Sequence, residues 1–202
     1  CIWRNPVLRL LVGAMLAEYV LVAGSDSSSV LVLGHLALNE QTIGLAIGCG
    51  GLGNVALSVA IGQWGHRYNA FAILAAGLCL AGLVGAIVGG AASARTSASP
   101  LLWLAVSTVF GAAFAAIWTP YAFLLQRETA PALMGRVSAS AMALCSGGGL
   151  AGPPVGAALA ALWNVGAMYA GLNLALMLVG VTVFWLMPRP TARAIPAAAL
   201  DG

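Results

Sequence analysis

The stretch AFAILAAGLCLAGLVGAIVGGAA, residues Ala70 to Ala92, is apolar or small at every position and carries no charge. A helix needs roughly 20 apolar residues to cross the hydrocarbon layer of a bilayer. A lone segment inside that layer must satisfy its own backbone polar groups, which only a helix achieves. The stretch therefore predicts a transmembrane helix.

Five further segments have the same character, and the composition of the whole chain agrees with them. Hydrophobic residues make up 61% of the chain and charged residues 6%, with a mean hydropathy of +1.00. A soluble domain has about 25% charged residues. We expect an all-α membrane protein with six transmembrane helices, forming one bundle over residues 1–188. The predicted spans cover residues 7–36, 43–64, 70–92, 101–125, 137–162 and 167–187.

The arginines indicate how this bundle is oriented. On the predicted map all but one of them fall on the same side, and Arg95 is the exception. Positively charged loops stay in the cytoplasm, so we expect a multi-pass protein of the cell membrane with both termini cytoplasmic. The Pro- and Ala-rich residues 189–202 are typical of a disordered tail. The arginines that share a side are Arg4, Arg9, Arg67, Arg127, Arg136, Arg189 and Arg193.

Glycines four residues apart mark the fifth predicted span. Gly148, Gly152 and Gly156 share one helix face, on which a neighbouring backbone can lie close. Pro153 and Pro154 interrupt backbone hydrogen bonding in the same segment. This combination predicts a packing hinge, although a static kink fits the pattern equally well.

Polar residues inside the spans are candidates for a substrate or proton pathway. Glu18 lies near the middle of the first predicted span, and Asp26 follows two turns later in a serine-rich stretch. An ionisable residue within a span is a functional candidate by default. Asp26 also fits a position at the outer interface. Asn54, in the second span, is a further candidate, although it also suits a hydrogen bond between helices.

Three sequence motifs carry a family resemblance. Gly62 to Asn69 (GQWGHRYN) joins spans two and three and resembles a loop of the form GxLADRxGR, with Gly62 and Arg67 in place. His66 stands where that loop has aspartate, and Asn69 where it has its second glycine. Gln126 to Val137 resembles a loop that ends Gly-Arg-Val. Gly148 to Gly156 resembles the antiporter motif GxxxGPxxG. With these motifs, the chain from about Asn5 to Pro188 resembles the C-terminal six-helix half of a major facilitator superfamily transporter, most like the small-molecule efflux permeases.

The resemblance implies transport of a small molecule by alternating access, in the form of proton-coupled efflux. It implies an N-terminal six-helix half of the same transporter as partner, with substrate bound between the halves at mid-membrane. Trp118 and Tyr121 become candidates for the cavity wall, or anchors at the membrane interface. The gating-loop residues would be Gly62, Arg67, Arg127, Pro131, Gly135 and Arg136.

Other classes of protein fit the sequence less well. A six-span serine protease needs a GxSG serine and a later histidine, and no histidine follows His66, so we expect no enzyme. The scattered Cys and His residues suggest neither metal nor cofactor. No basic cluster points to nucleic acid. A six-span scaffold or assembly subunit that transports nothing stays open. The chain begins with Cys1 rather than Met, which suggests a piece of a longer protein.

The predicted topology can be tested by cysteine labelling. Single cysteines are placed near Arg67, near Arg136, in the tail, and in the loop from Ser93 to Pro100, on a cysteine-free background. An impermeant maleimide added outside the cell should label only the Ser93 to Pro100 loop, because positively charged loops stay inside. Outside labelling of the tail and the Arg67 loop, with none near Ser97, would contradict the map.

Overall fold

The computed structural model describes residues 5–36, 39–96 and 99–187, which are helical with no strand among them. The predicted tail over residues 189–202 lies outside the described residues. Two short 3-10 turns, Gly65–Arg67 and Pro131–Leu133, join neighbouring helices. The helices are α1 (Pro6–Asp26), α2 (Ser29–His35), α3 (Glu40–Trp64), α4 (Ala70–Ser93), α5 (Pro100–Arg127), α6 (Met134–Leu162) and α7 (Val165–Leu186).

Five of the described helices are long and apolar enough to cross a membrane, namely α1, α3, α4, α5 and α7. The described part of the chain is thus all-helical, as expected, with several helices long and apolar enough to span a membrane. α6 is the longest described helix, but it is not among these five, because its glycines, serines and prolines interrupt the apolar residues. The six-span half-bundle accordingly remains a prediction.

The first predicted span, residues 7–36, is two helices rather than one. α1 ends at Asp26 and α2 begins at Ser29. The Ser25 hydroxyl donates to the carbonyl of Val22 and the Ser27 hydroxyl to that of Gly24, both at 3.0 Å. Such local hydrogen bonds compete with the helical pattern, and they account for the break.

Side-chain caps define where most of the helices begin. The Asn69 side chain accepts a hydrogen bond from the backbone N–H of Phe71 at 3.0 Å and so caps α4. An N-cap satisfies one of the backbone donors left free at a helix start. Asn69, which stands where the resembled loop motif has its second glycine, therefore has a structural role as a helix cap. Other N-caps are Asn5 for α1, Asn39 for α3, Ser99 for α5 and Asn164 for α7.

α4 and α7 form the most extensive helix pair, and glycines bring their backbones together. A Cβ at Gly82 would press on the backbone of Met177, and one at Gly89 would overlap that of Ala170. The two helices run antiparallel, because residues later in α4 contact residues earlier in α7. At the centre, Gly85 makes room for the side chain of Asn173.

Two further pairs use the same close approach. α3 packs against α5 where Gly53 faces the Thr108 carbonyl and Gly111 faces the backbone of Gly50. α1 packs against α6 at Gly24. If α1 and α2 count as one segment, the third segment pairs with the sixth, the first with the fifth and the second with the fourth. The set of pairings is unchanged when the first, second and third segments are exchanged with the fourth, fifth and sixth. The two groups of three segments therefore have a twofold relation.

A glycine substitution in α4 tests the contact with α7. Gly89 faces α7, whereas a Cβ at the adjacent Gly90 would meet nothing within 4 Å. Leucine changes helix propensity equally at both positions, so the difference between the two variants measures the contact with α7 alone. We expect Gly89→Leu to destabilise the fold by about 3 kcal/mol or more, since overpacking against rigid neighbours is costly. Gly90→Leu should stay within about 0.5 kcal/mol of wild type. Thermal unfolding in detergent, followed by circular dichroism, measures both, and equal melting temperatures would contradict the packing described.

Candidate functional site

Glu18 is the most deeply buried carboxylate among the described residues. Its side chain is 2% exposed, on the face of α1 that also carries Met15 and Ser25. Met15 belongs to the main hydrophobic cluster, which joins α1 to α4, α5, α6 and α7. A carboxylate in such surroundings has to be neutralised, hydrated or paired.

No ion pair neutralises Glu18 within the described residues. The salt bridge found there joins Arg127 to its neighbour Glu128 at 2.9 Å. The described arginines are all exposed at helix ends or in loops. No hydrogen bond to the Glu18 carboxylate occurs among the described side chains either. The carboxylate is therefore free to change its protonation without breaking a salt bridge.

An aromatic cluster lies next to Glu18, where α1, α5 and α6 meet. The rings of Tyr19 and Trp118 pack edge to face with centroids 5.5 Å apart, and Trp118 packs on Tyr121 at 6.0 Å. The Tyr19 hydroxyl reaches the Sδ of Met142 at 3.5 Å. Cys145 of α6 is buried and is an electrostatic neighbour of Glu18. Through Tyr19, its neighbour in the sequence, Glu18 is connected to Trp118 and Tyr121, the two predicted cavity-wall residues.

The predicted hinge glycines form the contact between α6 and α1. A Cβ at Gly152 would lie 2.7 Å from the backbone nitrogen of Gly24, and Gly156 faces the Gly24 carbonyl. Gly148 lies against the side chain of Leu16. The face of α6 that carries these glycines is therefore pressed onto the helix that carries Glu18.

The two prolines lie on another face of α6. Pro153 and Pro154 are exposed, and the helix continues through both of them to Leu162. The close contact with α1 therefore depends on the glycines and not on the prolines. Whether the segment bends during function stays a prediction.

Two of the predicted pathway residues lie away from Glu18. Asp26 is exposed at the end of α1 and lines a separate cavity with residues of α3, α5 and α7. Asn54 is half-buried on α3, beside the contact of Gly53 with Thr108. The three polar residues predicted to line one pathway are thus distributed over different parts of the bundle.

The candidate gating residues lie at one end of the bundle, around the two 3-10 turns. Arg67 and Arg136 are exposed, and Arg127 is held by Glu128 and lies 5.8 Å from the Phe123 ring centroid. Pro131 begins the second turn. A Cβ at Gly62 or Gly135 would meet nothing within 4 Å. Contacts among the described residues thus do not require glycine at either position.

Sequence reasoning missed Tyr19 and Cys145 as neighbours of Glu18. Tyr19 directly follows Glu18, but its ring is positioned by α5, which no local pattern reveals. Cys145 looked like ordinary packing, and its place beside Glu18 follows from how α6 crosses α1. For metals, no group of three His, Cys, Asp or Glu residues able to bind an ion lies together in the described part of the chain.

Comparison with known proteins adds nothing to this geometry: no protein family, curated protein or solved structure matches the chain. Its function has to be inferred from its own residues.

Proposed function

We propose that this chain is one half of a secondary transporter, which exports a small amphipathic molecule by alternating access and couples export to protons. The observation that carries the proposal is Glu18, a buried carboxylate beside an aromatic cluster and without an ion pair among the described residues. Intramembrane carboxylates are rare and mark ion or substrate pathways.

The surroundings of Glu18 support the proposal of proton coupling. A permanent salt bridge would fix its charge, and none is present among the described residues. Burial makes the charged form costly unless water or a partner reaches it. A movement that alternately hydrates and buries this carboxylate would therefore load and release a proton. We assign that role to Glu18 and the substrate-facing wall to Trp118 and Tyr121.

The paired packing of the helices supports alternating access. The twofold relation between the first three and last three segments is the kind of internal repeat on which many transporters are built. α4 and α7 form the tight centre of the arrangement, and α3 and α6 lie outside, each held mainly by one neighbour. Such a body can rock as a unit against a partner.

Two open faces support a second six-helix half as that partner. On α3, Gly44, Gly48 and Gly51 follow helical spacing, and a Cβ at any of them would meet nothing within 4 Å. Glycine in a helix costs about 1 kcal/mol relative to alanine, and contacts within the described chain do not explain it. α6 presents a comparable exposed face of small residues, including Gly147 and Ala151. Small-residue faces in membranes allow close helix contact.

The contact between α1 and α6 yields a first functional prediction. Gly152→Leu should lower transport by the full-length protein about tenfold or more, because the side chain would force α6 away from the backbone of Gly24. Gly152→Ala should give a smaller loss, and Gly90→Leu should behave like wild type. Transport is normalised to the amount of protein in the membrane. Wild-type transport by Gly152→Leu at normal expression would show that this contact is not needed.

Proton coupling is tested in liposomes that contain the full-length protein and a pH-sensitive dye. A pH gradient is imposed, and a panel of small amphipathic compounds is screened for gradient-driven movement and matching proton flux. We expect Glu18→Gln to lower gradient-driven transport about a hundredfold, as removal of an essential proton carrier does. Glu40→Gln, which removes an exposed carboxylate from the first turn of α3, should have little effect.

Asp26→Asn separates the two carboxylates in the same assay. Because Asp26 lies in another cavity, we expect this variant to keep proton-driven transport. Wild-type rates in both Glu18→Gln and Asp26→Asn would contradict proton coupling through this half. If the wild-type protein moved no compound and no protons, the alternative of a non-transporting scaffold would be favoured.

A further inference from the structure

A second cavity lies at the end of the bundle opposite the loops that carry Arg67, Arg127 and Arg136. Its volume is about 220 Å³, and α1, α2, α3, α4, α5 and α7 all contribute to its wall. Neither Glu18 nor the Tyr19–Trp118 pair lines it. The cavity is therefore distinct from the proposed transport site.

The described wall of this cavity has one charge and three aromatic rings. Asp26 is the carboxylate of this lining, and no arginine or histidine whose side chain the structure describes accompanies it. Trp103, Phe110 and Tyr169 supply the rings. A carboxylate beside aromatic faces attracts a cation through both charge and the ring quadrupoles.

One wall of the cavity is the Trp103 indole, which is 5% exposed. Its Nε1 is buried with no hydrogen-bond partner among the described residues. An ammonium group has donors and no acceptor, so it does not satisfy this N–H. Trp103 therefore contributes to cation binding through the face of its ring.

We propose that this cavity binds a small organic cation, a protonated amine attached to an apolar body. The amine lies against Asp26, and the body lies among Trp103, Phe110 and Tyr169. A cavity of about 150 Å³ in another protein holds benzene. By proportion, the present one accommodates roughly nine non-hydrogen atoms, the size of 2-phenylethylamine. Among the described residues the lining has no cationic group, which disfavours anions of the same shape.

The test uses the full-length protein in lipid nanodiscs and three probes of matched shape. Binding of 2-phenylethylamine, 2-phenylethanol and phenylacetate is measured by isothermal titration calorimetry, with protein-free nanodiscs subtracted. We expect the amine to bind about tenfold more tightly than the alcohol, as a charge-assisted hydrogen bond provides, and the anion to bind most weakly.

Four substitutions locate the binding site. Asp26→Asn should weaken amine binding to the level of the alcohol and leave the alcohol unchanged. Glu40→Gln, which removes an exposed carboxylate from the first turn of α3 outside the cavity lining, should change neither. Glu18→Gln should also leave amine binding intact. Ala46→Phe, which places a ring inside the lining, should abolish binding of all three probes.

The outcomes separate this inference from the proposed function, because the assay involves neither a gradient nor transport. Equal binding of amine and alcohol by the wild-type protein would overturn it. Loss of amine binding in Glu18→Gln but not in Asp26→Asn would also overturn it, because the amine would then occupy the other site. If Ala46→Phe does not fold, the comparison of Asp26→Asn with Glu40→Gln still decides.

Discussion

Close contact between helix backbones at glycine is the constraint on which the rest of this structure depends. In a bilayer, apolar side chains gain little by leaving lipid for protein, so helices associate through packing and hydrogen bonds. Many weak dispersion contacts add up only when surfaces approach closely. Glycines on α4 provide that approach toward α7, and glycines on α6 provide it toward α1. Larger side chains at these glycine positions would move the helices apart and disrupt the packing of the bundle.

The same contacts determine what surrounds Glu18. α1 is held on one side by α6 and on another by α7, and its polar face is thereby turned into the bundle. Tyr19 then meets Trp118 of α5, and Met15 and Cys145 belong to the same buried cluster. A buried acid without an ion pair is a local instability. The tight glycine contacts around it supply the rigidity that keeps it in place.

The positions of the helices were predictable, because hydrophobicity is a local property of the chain. The predicted span over residues 70–92 corresponds to α4 (Ala70–Ser93), and that over 101–125 to α5 (Pro100–Arg127). The break at Ser27 was missed because serine hydroxyl bonds to carbonyls outweighed the apolar pattern. The Gly152 face was predicted as a contact, but its partner, α1, depends on tertiary packing. For the same reason Asp26 could not be assigned to a cavity with Trp103 and Tyr169. The orientation, the partner half and transport itself remain predictions.

The pairing of α4 with α7 also has a consequence for biosynthesis. α4 leaves the ribosome well before α7, the last described helix, so its glycine face has no native neighbour while α5 and α6 are inserted. The face of α1 that carries Gly24 likewise has no native neighbour until α6 is inserted. Contacts between segments so distant in sequence form late and slowly, and such intermediates are prone to wrong association. A nascent chain interrupted before Val165 would display Gly82, Gly85 and Gly89 to lipid, and quality-control proteases of the membrane would recognise it as incomplete.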